Sequence, residues 1–420
     1  MTEHVSHVVV GGGVMGSAAA WQLARAGHDV VLLERFEPGH TQGASHGASR
    51  IYRTTYAQPA YLDLAQEAFG LWRDLERDAG LATGDVLTLT GGVSHGFPRP
   101  GQIGDAFVAR GVAHEWLRPE EAGERWPGLR FEGDVLHETA TAGRVHADRA
   151  VAAFQSAARS HGADVRHGVH VRHVHPGAGS VRVVTDRYDL VADTVVVAVG
   201  AWSAGLLGAA FTVPDGGAPV PPLVVTQEQP AHFALAPGAP AEDTWPSFTH
   251  APAAPHPWPS GVYGLATPGE GIKVGFHGVG PRTDPDRRTF RPEPGQLAQL
   301  QDYVRTWVPG ADADRLVPVS CTYTTTPDHD FVLDRVGRVV VAAGFSGHGF
   351  KFAPSIGRVL AELAREEPAA QPVAADRLFS LARFAGVPAS AASRSLRAGS
   401  VTATTLQNCM LDEVGADCAA

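Results

Sequence analysis

Lysine is almost missing from this chain. Of its 34 lysine and arginine residues, only Lys273 and Lys351 are lysines. Arginine everywhere else, with much alanine, glycine and proline, fits a GC-rich genome. The two survivors are either chance or positions where a compact ammonium on a flexible stem does what a planar guanidinium cannot. Cysteine is scarce too. Three cysteines cannot build a disulfide framework, which points to a reducing, cytoplasmic setting. Only Cys321 lies in the body of the chain; Cys409 and Cys418 sit near its end. No apolar run approaches the ~20 residues that span a bilayer. The opening "MTEHVSHVVVGGG" lacks the basic start and the apolar length of a signal peptide. A net charge of -10, with no basic cluster, argues against a nucleic-acid partner.

What remains is ordinary for a globular protein: 420 residues, 44% hydrophobic and 19% charged, enough for two or three domain-sized units. The clearest unit is "HVVVGGGVMGSAAAWQLARAGHDVVLLER". A buried strand, a helix from Val14 to about Ala26 stopped by Gly27, and a second strand make a βαβ unit. Its first turn, Gly11-Gly12-Gly13-Val14-Met15-Gly16, matches G-x-G-x-x-G. Gly11 allows the tight turn, Gly13 lets a pyrophosphate approach the helix N-terminus, and Gly16 lets helix and strand pack closely. Glu34 and Arg35 end the second strand, where an acid bonds ribose hydroxyls.

Two further strand–glycine–helix junctions follow, at Gly200 and at "GFSGHGFKF" from Gly344. Together they predict an α/β protein of mixed α+β character: a discontinuous Rossmann-like dinucleotide domain (residues 1–85, 142–215 and 318–385) and a second, mainly antiparallel β domain (86–141 and 216–317). Residues 86–141 read as short β pieces with polar turns, and 216–262 is rich in proline and alanine. "YLDLAQEAFGLWRDLERD", from Tyr61, reads as an amphipathic packing helix. Residues 386–420 are small, polar and aperiodic, which predicts a flexible tail.

Polar residues cluster in three places. "GASHGASRIYR" offers Ser45, His46, Ser49, Arg50 and Arg53. On a helical turn Arg50 and Arg53 would share a face and could hold a carboxylate; the spacing alone fits a solvated surface pair equally well. "GVYGLATPGEGIKVGFHG" carries Tyr263, and places Lys273, Gly275 and His277 on one face of a strand. Such a lysine ordinarily faces solvent, but its rarity here favours a function. At "GFSGHGFKF", Gly344, Phe345, Gly347, His348 and Gly349 shape a close-approach loop, with Lys351 placed for an anion.

These segments, with "CTYTTTPDHDFVLD", occur in the order found in the monomeric sarcosine oxidase and N-methyltryptophan oxidase family of flavoproteins. The chain resembles that family over roughly residues 5 to 385. The resemblance implies FAD, bonded covalently from the Cys321 sulfur to the 8α-methyl of the flavin ring. A thiolate is the soft nucleophile such an addition needs, and Arg50 would favour it; a buried structural thiol is the alternative. By the same resemblance Arg53 and Lys351 bind the substrate carboxylate, Tyr263 and His277 line the substrate cavity, and Lys273 promotes reaction with dioxygen. Ser49 and Arg50 match flavin-contacting positions. Ala48 stands where the family usually has an acid, which implies local repacking.

The activity implied is oxidation of an N-methyl or cyclic amino acid to an imine, with dioxygen reduced to hydrogen peroxide, by a cytoplasmic monomer. Alternatives are a tailoring oxidase or dehydrogenase for a cyclic imino acid, and a non-catalytic flavin-binding protein. A nicotinamide dehydrogenase fits the glycine fingerprint but leaves Cys321 unexplained.

Overall fold

The computed structural model describes residues 3–96, 100–208, 220–365 and 376–384. The expected tail from residue 386 lies outside these. The strand Glu3–Val10 pairs in parallel with Val30–Leu33 on one side and Asp189–Val197 on the other, and the latter pairs in parallel with Val339–Ala343. The three strand–glycine–helix junctions therefore open along one edge of one sheet. Their inner stretches, 8–10, 30–33, 195–197 and 339–341, are all valine or leucine because helices cover them. Helix Val14–Arg25 lies against Ala147–Ser160 and Ala353–Ala364. Trp21, Trp72 and Phe154 are wholly buried in the same core. Asp164–Arg166, Val171–Pro176, Val181–Thr185 and Val332–Val336 complete this eight-stranded sheet.

A second eight-stranded sheet runs in the order Ala311–Pro318, Ala231–Leu235, Gly271–Phe276, Val262–Thr267, Ser247–His250, Gly92–His95, Val135–Glu138, His114–Leu117. Its neighbours are antiparallel except for Ser247–His250 beside Gly92–His95. The fold is thus mixed α/β, one sheet largely parallel and the other mainly antiparallel. Two small sheets join them. Arg50–Tyr52 pairs with Gly143–Val145, which also pairs with Leu87–Leu89. Val224–Glu228 pairs with Cys321–Thr325, placing Glu228 opposite Cys321.

Two local expectations are corrected. Arg50 lies in a strand, not on a helical turn, so Arg50 and Arg53 do not share a helix face. Ile51 and Tyr52 favour extension, and the pairing with Gly143–Val145 satisfies their backbone. Residues 86–141 also hold helices, Pro100–Ala109 and Pro119–Arg125, between their short strands. The second begins with proline in its first turn, followed by Glu120 and Glu121, a start signal outweighed in the sequence by the surrounding turn residues. Among the described residues, no helix is long and apolar enough to cross a membrane.

Candidate active site

A channel of about 670 Å³ follows the edge where the parallel strands meet their helices. Gly11 to Met15 form part of its wall, with Glu34, Arg35, Ser45, Gly200, Phe345 and Gly349. Gly11 has φ of 106°, and a Cβ there would lie 2.5 Å from the Ala198 carbonyl oxygen, so only glycine makes this turn without a shift. The turn is braced from outside. Gly12 N–H donates to Glu34 Oε2 at 2.6 Å, and Val14 N–H donates to Ser45 Oγ at 3.0 Å. Glu34 Oε1 accepts from Phe36 N–H at 2.9 Å. Across the channel, Asp286 Oδ1 accepts from Arg35 Nη1 at 2.6 Å and from Trp202 Nε1 at 2.9 Å.

At the other end, Arg50, Cys321, Tyr323, Gly347 and Phe350 line both this channel and a second cavity of about 150 Å³. Gly347 is required there, since a Cβ on it would lie 2.2 Å from the Tyr323 ring. The Arg50 guanidinium is fixed by the carbonyls of Ser49, Ala44 and His46, each at 2.8 Å, and Nη2 lies 3.9 Å from Cys321 Sγ.

The smaller cavity gathers cations. Lys273 is buried, its ammonium 3.4 Å from the Ser49 carbonyl, and burial first, then Arg50, push its pKa down to about 7. Lys351 is buried too; Nζ donates to Tyr56 OH at 2.8 Å and to the His348 carbonyl at 2.7 Å. Burial and Arg53 hold its pKa well below the usual lysine range, with Glu138 acting in the opposite sense. Arg53 Nη1 donates to the Thr55 carbonyl at 2.7 Å. His277 Nδ1 lies 3.3 Å from Tyr323 OH, and burial followed by the nearby His329, Lys351 and Arg53 push its pKa down to about 3. Its imidazole is therefore neutral at ordinary pH. Tyr263 is held in the phenol form by burial. The far wall is Thr249 to Pro252 and His256, from the proline-rich segment. The arrangement can hold a small anion against two buried cations, beside a thiol that faces a dinucleotide-sized channel.

Residues 6–363 match the family model described as FAD dependent oxidoreductase. The chain belongs to the FAD-dependent oxidoreductase family. It is 31% identical over 382 residues to the monomeric sarcosine oxidase of Bacillus sp. (strain NS-129), covering 87% of this chain and 94% of that one. It is 27% identical over 374 residues to the N-methyl-L-tryptophan oxidase of Salmonella heidelberg (strain SL476), covering 85% and 94%. Among solved structures it resembles NikD, described as an unusual amino acid oxidase essential for nikkomycin biosynthesis, with a TM-score of 0.76 and 27% identity over 90% of this chain and 98% of that one.

The residues present fit the family's cofactor. The N-terminus of helix Val14–Arg25 opens onto the channel through the glycine turn Gly11 to Gly13, which lines it, and the channel volume suits a large cofactor. Not every expected residue of this FAD-dependent oxidoreductase touches the channel. Gly16 packs against Gly11, where a Cβ would meet the Gly11 carbonyl oxygen at 1.9 Å. His46 lies behind the wall and Gly344 packs on Thr326. Ser49, His348 and Lys351 line the smaller cavity instead. Sequence reasoning missed Tyr56, Glu138, Tyr323 and Asp286. Tyr323 sits inside a motif already singled out, so the motif could have flagged it. The other three carry no local signal, since each is defined by a partner far along the chain.

Proposed function

We propose that this flavoenzyme oxidises secondary amines that carry a carboxylate, N-methyl or cyclic amino acids, to imines with dioxygen as acceptor. The observation that carries the reading is the cavity that sets Arg53 and Lys351, Lys273 and the Cys321 thiol around one space, open to a dinucleotide channel. FAD in that channel would supply a two-electron acceptor for the carbon beside the amine nitrogen and pass the electrons to dioxygen, giving peroxide. We infer that Cys321 attaches it covalently, with Arg50 favouring the thiolate.

The chain's own groups do the rest. Arg53 and Lys351 grip the carboxylate, which fixes the amine's position. Only an amine with a free lone pair can react, and the Arg50 and Arg53 guanidinium groups, with whichever lysine is protonated, disfavour a bound ammonium, so the substrate binds as the neutral amine and leaves its proton to solvent. Neutral His277 and Tyr263 add no opposing charge. Lys273 places an ammonium where dioxygen gains negative charge. We read residues 1–85, 142–215 and 318–385 as the cofactor domain, 86–141 and 216–317 as the substrate domain, and the protein as a cytoplasmic monomer. Similarity to sarcosine oxidase and N-methyl-L-tryptophan oxidase supports the substrate class.

The test has two arms. Acid precipitation of the holoprotein should leave the yellow colour in the pellet, and the Cys321→Ser variant should release it to the supernatant. Colour released from the wild type would refute the covalent link. A panel of sarcosine, N-methyl-L-tryptophan and L-proline should yield one peroxide per amine oxidised. Turnover without peroxide would identify a dehydrogenase instead.

A further inference from the structure

Glu138 ends the strand Val135–Glu138 and is 1% exposed. A carboxylate this deep is normally explained by a salt bridge or by a task. Here both oxygens are met by small donors. Oε1 accepts from Thr54 Oγ1 at 2.7 Å and from Thr141 Oγ1 at 2.8 Å. Oε2 accepts from Thr55 Oγ1 at 3.0 Å, and Thr54 N–H lies 3.0 Å from each oxygen. Burial raises the Glu138 pKa, and these donors oppose the rise.

The carboxylate thus clasps Thr54 and Thr55. That two-residue turn joins Arg53 to Tyr56, and Tyr56 N–H donates to the Thr54 carbonyl at 2.8 Å. Arg53 donates back to the Thr55 carbonyl. Tyr56 OH accepts from the Lys351 ammonium. Arg53 and Lys351 come from distant parts of the chain, and both are oriented by the backbone that Glu138 holds.

We propose that Glu138 is a positioning residue for anion recognition, setting Arg53 directly and Lys351 through Tyr56 so that the two cations converge on one carboxylate. It touches no ligand itself. The proposal rests on the reading of Arg53 and Lys351 as the carboxylate grip.

The test is calorimetric titration of the holoprotein with benzoate and with benzamide, which has the same ring without the charge; a cavity of about 150 Å³ is the size known to admit a benzene ring. Glu138→Gln should weaken benzoate on the order of tenfold, as coupled neighbours do, and leave benzamide within about twofold. In a background that carries both Arg53→Met and Lys351→Met the same change should cost benzoate no more than about twofold. Should Glu138→Gln fail to fold, Glu138→Asp, which keeps the charge but withdraws it by one methylene, gives the same readings. Equal weakening of both ligands would make Glu138 merely structural and overturn the proposal. So would unchanged or tighter benzoate binding, or a full effect in the background that lacks both Arg53 and Lys351. If Lys351→Met and Arg53→Met each leave benzoate affinity at the wild-type value, the carboxylate grip itself is wrong, and the proposal falls with it.

Discussion

The role of Lys273 can be tested quantitatively, because burial has left its charge poised near neutrality. Replacing it by methionine keeps the volume of the stem and removes the ammonium. An ammonium about 4 Å from a full negative charge, at an effective dielectric of about 20, is worth about 4 kcal/mol, or about a thousandfold in rate. With a pKa of about 7, the wild-type lysine is about nine-tenths charged at pH 6 and about one-tenth charged at pH 8. Lys273→Met should therefore slow the oxygen reaction about a thousandfold at pH 6 but only about a hundredfold at pH 8. The sign follows from the chemistry: the wild type loses its ammonium as pH rises, and the variant has none to lose.

The assay is stopped-flow mixing of anaerobically reduced holoprotein with oxygenated buffer, followed by absorbance at several pH values. A variant within about tenfold of wild type at pH 6 would refute the electrostatic role. A large deficit that stays constant from pH 6 to pH 8 would mean the lysine keeps its charge in the loaded protein, and would refute the burial argument alone.

Two other consequences follow from the fold. Gly11→Ala should destabilise the protein by roughly 3 kcal/mol and abolish flavin loading, because it adds a steric clash to a positive φ; Gly27→Ala, with φ of 85° and open space around it, should cost only about 1 kcal/mol in the same urea melts. Asp330, bonded to Tyr61 OH at 2.8 Å, has its pKa raised by burial to about 6. The folded state then binds more protons than the unfolded one between about pH 4 and pH 6, so stability falls by about 3 kcal/mol as pH rises through that window, and Asp330→Asn should flatten the slope in urea melts.

The parts of this molecule that could be read from the sequence share one property: their signal is local or compositional. The βαβ unit is written in consecutive residues. Lys273 and Lys351 stand out because lysine is otherwise missing, and both lie buried in the same cavity. Cys321 stands out by scarcity in the same way. Glu138 has no such mark. Its meaning comes from Thr54 and Thr55, over 80 positions earlier in the chain, and nothing in "VLHETAT" separates it from the many surface acids. Asp286 is likewise defined by Arg35, 251 positions away. The helical alternative weighed for Arg50 and Arg53 fails for a related reason: three-residue spacing suggests a shared helix face, whereas the conformation is decided by pairing with Gly143–Val145, which no local pattern announces.

The cavity's electrostatics explain why these scattered residues belong together. Arg50, Arg53, Lys273 and Lys351 surround a space that is costly to surround with cations. The structure limits that cost in two ways. His277 is held neutral, and so is His348, whose pKa burial and Lys351 push well below its ordinary value. Lys273, depressed from 10.5 to about 7, can shed its proton. Between those two pH values the folded state binds fewer protons than the unfolded one, so this lysine's burden on stability is present below pH 7 and relieved as pH rises toward 10.5. On the proposed function a bound carboxylate would act in the opposite direction, because an anion beside the two lysines favours their charged forms. The electrostatic cost of gathering these groups would then become affinity for an anion and aversion to a cation. On the proposed function, that combination would select an amino acid presenting its carboxylate inward and its nitrogen unprotonated, the form in which the neighbouring carbon can be oxidised.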